Sequence, residues 1–262
     1  MEEIKHVDEN LITKAIIKKA AEEWIDFSEC DVIVVGAGPA GLTASTYLAK
    51  NGLKTLVLEK KLSFGGGMGG GGMCFHKLII ESPADEIIRE FGCRLEMIDD
   101  RIYITDAAEM MAKLAAGAID AGAKILFGVA VEDLIFRSSP LRIIGTVVQW
   151  ASVNMSGLHV DPLPIKSKAV VDCTGHDAEV LAVASRKIPE LKITIHGEKS
   201  MWVDLAEKSI IENTGEVCPG LYVAGMAVAA LHHTPRMGPI FGGMILSGKK
   251  VADLIVKKIK TQ

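Results

Sequence analysis

The residues Gly36-Ala37-Gly38-Pro39-Ala40-Gly41 form a glycine turn of the kind that grips the pyrophosphate of an adenine dinucleotide. Glycines alone are a weak signal, and here the context decides. The turn follows Asp31-Val32-Ile33-Val34-Val35, an apolar run of strand length, and opens a helix expected from Pro39 to about Lys50. The glycines of such a turn allow a tight bend, close approach of the backbone to phosphate and close strand–helix packing, while the helix N-terminus faces the anion. Glu59 ends the next strand-like run, Lys54 to Glu59, near the spacing of about 20 residues expected of an acid that accepts from ribose hydroxyls. Such an acid favours NAD or FAD over NADP, whose extra phosphate it would repel. Lys60 beside it either touches the nucleotide or is solvated. Gly65 to Met73 holds seven glycines in nine residues and reads as an irregular loop, with Gly66-Gly67 offering a second contact to ribose or pyrophosphate.

Further along the chain, Asp161-Pro162 reads by itself as a turn dipeptide, His176 as a loop histidine and Arg236 as a surface cation. Arg236 nevertheless sits in a turn dense in Pro and Gly, beside His232 and His233. Those two tempt as a metal pair, but adjacent residues often point apart, and they stay unassigned. His76 and His196 read as structural or exposed, and Cys173, at the end of a buried strand, as a small hydrophobe.

The elements that must position these residues follow from hydrophobic spacing. Leu11, Ile12, Ala15, Ile16 and Ala20 predict an amphipathic helix over 10–26, a structural or subunit-contact element. Ser82 as N-cap, Pro83 in the first turn and Asp85 predict a helix to about Phe91. A strand pair follows over 94–105. A crossover helix over 106–120 carries Met110, Met111, Leu114 and Ile119 on one side and leads into a strand at 125–127. Antiparallel strands at 131–136 and 143–150, a polar connection over 154–166, buried strands at 169–172 and 221–224, and a helix over 243–258 complete the chain. The fold class is α/β, a Rossmann-like FAD/NAD(P)-binding fold with a parallel central sheet and a small inserted β subdomain. One domain spans 1–262, with a dinucleotide-binding portion at 27–128, an inserted β segment at 129–166 and returning strands with a C-terminal helix at 167–262.

Composition narrows the function classes. The chain has 262 residues, 49% of them hydrophobic, and a net charge of −4 with both signs interspersed, which excludes a basic face for nucleic acid or an anionic membrane. Aromatic residues make up only 5%, too few for a base-stacking surface. The five cysteines, Cys30, Cys74, Cys93, Cys173 and Cys218, form no C-x-x-C pair and suit a reducing cytoplasm. Met1 to Asn10 is acidic and lacks a signal-peptide core, and no apolar run approaches the ~20 residues of a membrane span.

The order of elements resembles that of the FAD-dependent reductase superfamily, with Cys173-Thr174-Gly175 in place of its Ala-Thr-Gly segment. Where that superfamily places an acid for the ribityl chain, Leu221-Tyr222-Val223-Ala224-Gly225-Met226 ends in methionine. A thioether barely accepts hydrogen bonds from hydroxyls, so FAD is not expected.

Gly36 to Leu42, Gly65-Gly66-Gly67, Val131-Glu132-Asp133-Leu134, Thr174-Gly175-His176-Asp177 and Arg236-Met237-Gly238-Pro239 with Phe241-Gly242 together resemble the thiamine thiazole synthases, from about Glu22 onward. Eukaryotic members of that family carry a sulfur-donating cysteine shortly before an Asp-Pro; here His159 stands at that position, ahead of Asp161-Pro162. An imidazole has no sulfur to give. The chain therefore resembles the archaeal branch, which implies free sulfide as donor and repeated turnover. The resemblance implies synthesis of an adenylated thiazole carboxylate from NAD, glycine and sulfide, with release of nicotinamide; NAD is a co-substrate and no hydride need move. It implies Fe(II) held by Asp161 and His176 from neighbouring protomers, Arg236 as a bidentate clamp on the glycine carboxylate, and a homo-octamer. It also implies that Ala40, Glu59, Lys60, Gly67, Val131 and Met226 line the nucleotide site, with His159 near substrate. The alternative is an FAD-dependent oxidoreductase of the same fold.

Overall fold

The computed structural model describes residues 4–261; Met1 to Glu3 of the acidic N-terminal stretch, and Gln262, lie outside the described residues. Helix α1 (Glu9–Asp26) begins at Asp8, whose carboxylate accepts from the Asn10 amide at 2.9 Å. None of its residues is buried. Leu11, Ile12, Ile16 and Ile17 are each half exposed or more, whereas Trp24, near the C-terminal end of the helix, packs against the core and meets Trp150 edge-on.

Strand β1 (Glu29–Val35), helix α2 (Pro39–Lys50) and strand β2 (Thr55–Glu59) form the expected βαβ unit, with β1 and β2 parallel from Val32↔Thr55 to Val35↔Leu58. Val32, Ile33, Val34, Leu56 and Val57 have no exposed surface, which is why these strands read as unbroken apolar runs rather than alternations. Pro39 occupies the first turn of α2, where its missing N–H costs nothing.

The chain then makes a small antiparallel sheet, order β3-β5-β4, from β3 (Lys77–Glu81), β4 (Glu96–Asp99) and β5 (Ile102–Asp106). Strand β3 was not anticipated from the sequence. Helix α3 (Ala84–Glu90) starts one residue beyond the expected proline. Pro83 holds the cap position and the Ser82 hydroxyl donates to the Asp85 carboxylate at 2.7 Å, so no serine caps the main chain. Helix α4 (Ala107–Asp120) starts at Asp106, whose carboxylate accepts from the amides of Ala108 and Glu109. It buries Met110, Leu114, Ala115 and Ala118, while Ile119, expected on that side, is 55% exposed. Ile119 follows Met110 by two and a half helical turns and therefore points the opposite way.

Strand β6 (Lys124–Phe127) adds to β2 in parallel. The hairpin of β7 (Val129–Ser138) and β8 (Leu141–Trp150) leads through the short helix α5 (Ala151–Ser156) into β9 (Leu163–Asp172). That last strand starts well before the expected residue 169. Its first half pairs antiparallel with β8 and its second half parallel with β1, so the 129–166 segment is hydrogen-bonded into the main sheet. Helices α6 (Glu179–Lys187) and α7 (Val203–Asn213), strands β10 (Gly215–Cys218) and β11 (Leu221–Val223), and helices α8 (Met226–His232) and α9 (Gly242–Lys260) complete the described chain. Along the path β10-β11-β9-β1-β2-β6 the main sheet is parallel except for the edge strand β10, with the antiparallel β7–β8 hairpin added at β9, and it is a Rossmann-like α/β sheet. No helix among the described residues is long and apolar enough to cross a membrane.

Candidate active site

A cavity of about 610 Å³ opens at the C-terminal ends of β1, β2 and β9, the place where an open parallel sheet binds its ligands. Its floor is the glycine turn. Gly36 has φ +102°, and a Cβ there would lie 2.5 Å from the Cys173 carbonyl oxygen. A Cβ on Gly41 would lie 2.0 Å from the carbonyl oxygen of Gly36. These positions therefore exclude a side chain by contact. Gly41 lies beneath the cavity in α2, while Gly36, Gly38 and Ala40 line it.

Glu59 is only 6% exposed. One carboxylate oxygen accepts from the Ala37 amide at 2.9 Å and the other from the Lys61 amide at 2.9 Å. An ionised carboxylate has lone pairs beyond those two bonds, so the acid bracing the turn can still accept from a ligand hydroxyl at the cavity wall. Lys60 lines the cavity and pairs with Glu179, whose hydrogen bond pushes the ammonium pKa upward. Gly66, Gly67, Gly71 and Gly72 of the glycine loop also line the cavity. The glycine loop is less irregular than its composition suggests: Met68–Gly70 makes a helical turn, closed by Met68 N to Gly65 O and Gly71 N to Met68 O, with Met68 fully buried as its anchor. Val131 and Met226, the latter 6% exposed at the start of α8, complete the nucleotide side.

The other end is built from the loop after β9. The Asp172 carboxylate, with no exposed surface, accepts from the Thr174 amide at 2.9 Å, the Thr174 hydroxyl at 2.6 Å and the Leu181 amide at 2.9 Å. Burial pushes its carboxyl pKa up and those bonds oppose the shift. The Thr174 hydroxyl accepts in turn from the Glu179 amide at 2.7 Å. The turn carrying His176 is thereby held between β9 and α6. His176 lines the cavity with its side chain 54% exposed, and its Nδ1 is 2.6 Å from Glu198 Oε2. Glu198 Oε1 stands 3.8 Å from Nε of Arg236, which also lines the cavity.

The cavity thus gathers Gly36, Gly38, Ala40, Glu59, Lys60, Gly67, Val131, His176, Met226 and Arg236. His159 and Asp161 are not among its walls. They lie exposed between α5 and β9, where the Val160 carbonyl accepts from the Gln149 amide group at 2.8 Å. Asp161 is thus not brought to the cavity with His176, and among the described residues no group of three or more His, Cys, Asp or Glu side chains is placed to hold a metal. Partial desolvation lowers the pKa of His232, which is exposed, and the His233 Nδ1 donates to the Gly197 carbonyl at 2.8 Å. Burial pushes the Cys173 thiol pKa well up, as befits a structural hydrophobe.

Sequence reasoning missed Asp172 and Glu198 as members of this site. Asp172 was read as the end of an apolar strand, and the segment around Glu198 carries no periodic pattern that would mark it.

A model of the Thi4 family matches residues 13–241. The thiamine thiazole synthase of Sulfolobus acidocaldarius is 62% identical over 257 residues, covering 98% of this chain and 97% of the relative. That of Archaeoglobus fulgidus is 60% identical over 249 residues, 95% of each chain. The crystal structure of Thermovibrio ammonificans THI4 superimposes with a TM-score of 0.95 at 41% identity, covering 98% of this chain and 100% of that one.

Proposed function

The chain belongs to the Thi4 family, and from that premise we propose that it is a thiamine thiazole synthase of the sulfide-using kind. In this reading it makes an adenylated thiazole carboxylate from NAD, glycine and free sulfide, releases nicotinamide and turns over repeatedly in the cytoplasm. The observation that carries it is one cavity with a dinucleotide grip at one end and a His176–Glu198–Arg236 cluster at the other.

The chain's residues divide the work. The amides at the start of α2 and the braced Glu59 hold the ADP half of NAD, leaving the nicotinamide ribose toward His176 and Arg236. Arg236 binds the glycine carboxylate through its guanidinium, whose fork matches that group better than an ammonium. With Nδ1 of His176 engaged by Glu198, Nε2 is the ring nitrogen left to bind a cation. One imidazole and one carboxylate, Asp161 from a neighbouring protomer, form a sparse N/O set that fits ferrous iron with open positions. Bound there, iron would act as a Lewis acid and template for glycine-derived and sulfur ligands. His159 supplies no sulfur, which is why an external donor is assigned. Helix α1, with no buried residue, is available for assembly into the homo-octamer this reading includes.

Anaerobic incubation with NAD, glycine, sulfide and Fe(II), followed by mass spectrometry, tests the reading. It predicts nicotinamide and adenylated thiazole in equal amounts, exceeding one product per chain. Nicotinamide without thiazole, or a flavin spectrum near stoichiometry in the purified protein, would overturn it in favour of a nucleotide hydrolase or an FAD-dependent oxidoreductase.

A further inference from the structure

Among the described residues, Glu198 is the one acid that reaches both functional side chains at the reacting end of the cavity. Its Oε2 is 2.6 Å from His176 Nδ1 and its Oε1 is 3.8 Å from Arg236 Nε. We propose that Glu198 is a positioning residue that locks His176 and Arg236 into one unit, so that the metal-side imidazole and the glycine clamp are aligned together.

This inference rests on the thiazole synthase reading for what the two side chains bind. The lock itself stands on geometry. A carboxylate can only accept, so the hydrogen bond fixes the proton of His176 on Nδ1 and turns the Nε2 lone pair into the metal-binding position. On the other side, the carboxylate faces the guanidinium at Nε from 3.8 Å, an electrostatic contact longer than a hydrogen bond, and leaves the terminal N–H groups for a substrate carboxylate.

The segment bearing Glu198 is itself held rigidly against the Arg236 turn. Lys199 N donates to Thr234 O at 2.9 Å, Arg236 N donates to Lys199 O at 3.2 Å, and Trp202 N donates to Arg236 O at 3.1 Å. On the other flank, Gly197 N donates to Ala230 O at 3.1 Å and Gly197 O accepts from His233. Glu198 is only 19% exposed between these anchors. A surface ion pair chosen for stability would need neither the two-sided contact nor the main-chain frame.

The test uses Glu198→Ala and Glu198→Gln in the full-length protein, with Co(II) as a spectroscopic probe of the metal position and ADP-ribose as a probe of the nucleotide end. Glu198→Ala should weaken Co(II) binding about 10- to 100-fold, the usual cost of losing a partner behind a metal-bound histidine, and raise the KM for glycine. ADP-ribose affinity should stay at the wild-type value, and Glu198→Gln, which keeps an acceptor for Nδ1, should recover part of the Co(II) affinity. Wild-type Co(II) and glycine binding in both variants would overturn the proposal, as would parallel loss of ADP-ribose affinity in Glu198→Gln, because that marks a general structural role. Should Glu198→Ala fail to fold, Glu198→Gln alone decides by the same readouts. Wild-type protein that binds Co(II) but makes no thiazole would instead break the functional reading and leave the lock standing.

Discussion

At the nucleotide end of the cavity, Gly36, Gly41, Ala37 and Glu59 satisfy one another within a single βαβ unit, and the bond from Ala37 to Glu59 closes it at 2.9 Å. At the reacting end, His176 depends on Asp172 in the same loop, on Glu198 from a distant segment and, in the proposed reading, on Asp161 of another protomer. In that reading the first end is complete in one chain and the second is completed by a neighbour. A grip on a dinucleotide can be made from local backbone, whereas placing a metal beside a carboxylate clamp requires side chains from several segments. The difference yields predictions that can break or sharpen it.

The largest effect is expected at the reacting end. Asp161→Ala or His176→Ala should lower thiazole formation by at least about a thousandfold, because a Lewis-acid metal is worth several kcal/mol of barrier. ADP-ribose affinity, measured calorimetrically, should be unchanged. Gly41→Ala should do the reverse. Its Cβ would fall 2.0 Å from the Gly36 carbonyl, so the turn must shift, at a cost of about 1–3 kcal/mol and with loss of ADP-ribose binding. Normal ADP-ribose affinity in that variant would contradict the account of the turn.

Asp172→Ala leaves the amides of Thr174 and Leu181 without their buried acceptor. It should destabilise the protein by about 3 kcal/mol, lowering Tm by roughly 6–12 °C, and loosen the His176 loop. An unchanged Tm would show that the loop is held by something else.

A smaller, pH-dependent effect belongs to the acid beneath the start of α9. Glu207 is buried against Glu81 and accepts from the Gly243 amide at the start of α9. Burial, and then the neighbouring Glu81, push its carboxyl pKa well above the usual carboxylate range, to about 9. Between those two values the folded state holds a proton that the unfolded chain has released, so this group's contribution to stability is full at low pH and is lost as pH rises through about 9. Glu207→Gln, which keeps a donor and an acceptor in the same shape, should flatten the fall of Tm over that range. A slope identical to wild type would show that Glu207 does not hold a proton over that range. Least of all, Lys60→Ala removes a half-exposed ion pair with Glu179 and should cost under about 1 kcal/mol in a denaturant titration.

The same contrast explains what was legible in the sequence. The glycine turn, Glu59 and the two parallel strands were readable because their contacts follow from spacing along a continuous segment. His176 and Arg236 were reached by resemblance, and the cavity brings them together through Glu198, a residue that no periodicity or local motif marks. Strand β3 and the early start of β9 escaped because their pairing partners lie far along the chain, and Ile119 was misplaced by counting apolar residues without following the helix around its axis. Asp161 lies exposed on its loop. Its pairing with His176 was reached by resemblance alone.

In the proposed reading the nucleotide end is complete in each chain while the metal end is completed by a neighbour. Co-expression of Asp161→Ala with His176→Ala, with thiazole formation measured on the mixed oligomer, tests it most directly. A shared site predicts that two inactive variants regain activity together, because one interface pairs an intact Asp161 with an intact His176. Mixed oligomers as inactive as either variant alone would contradict it.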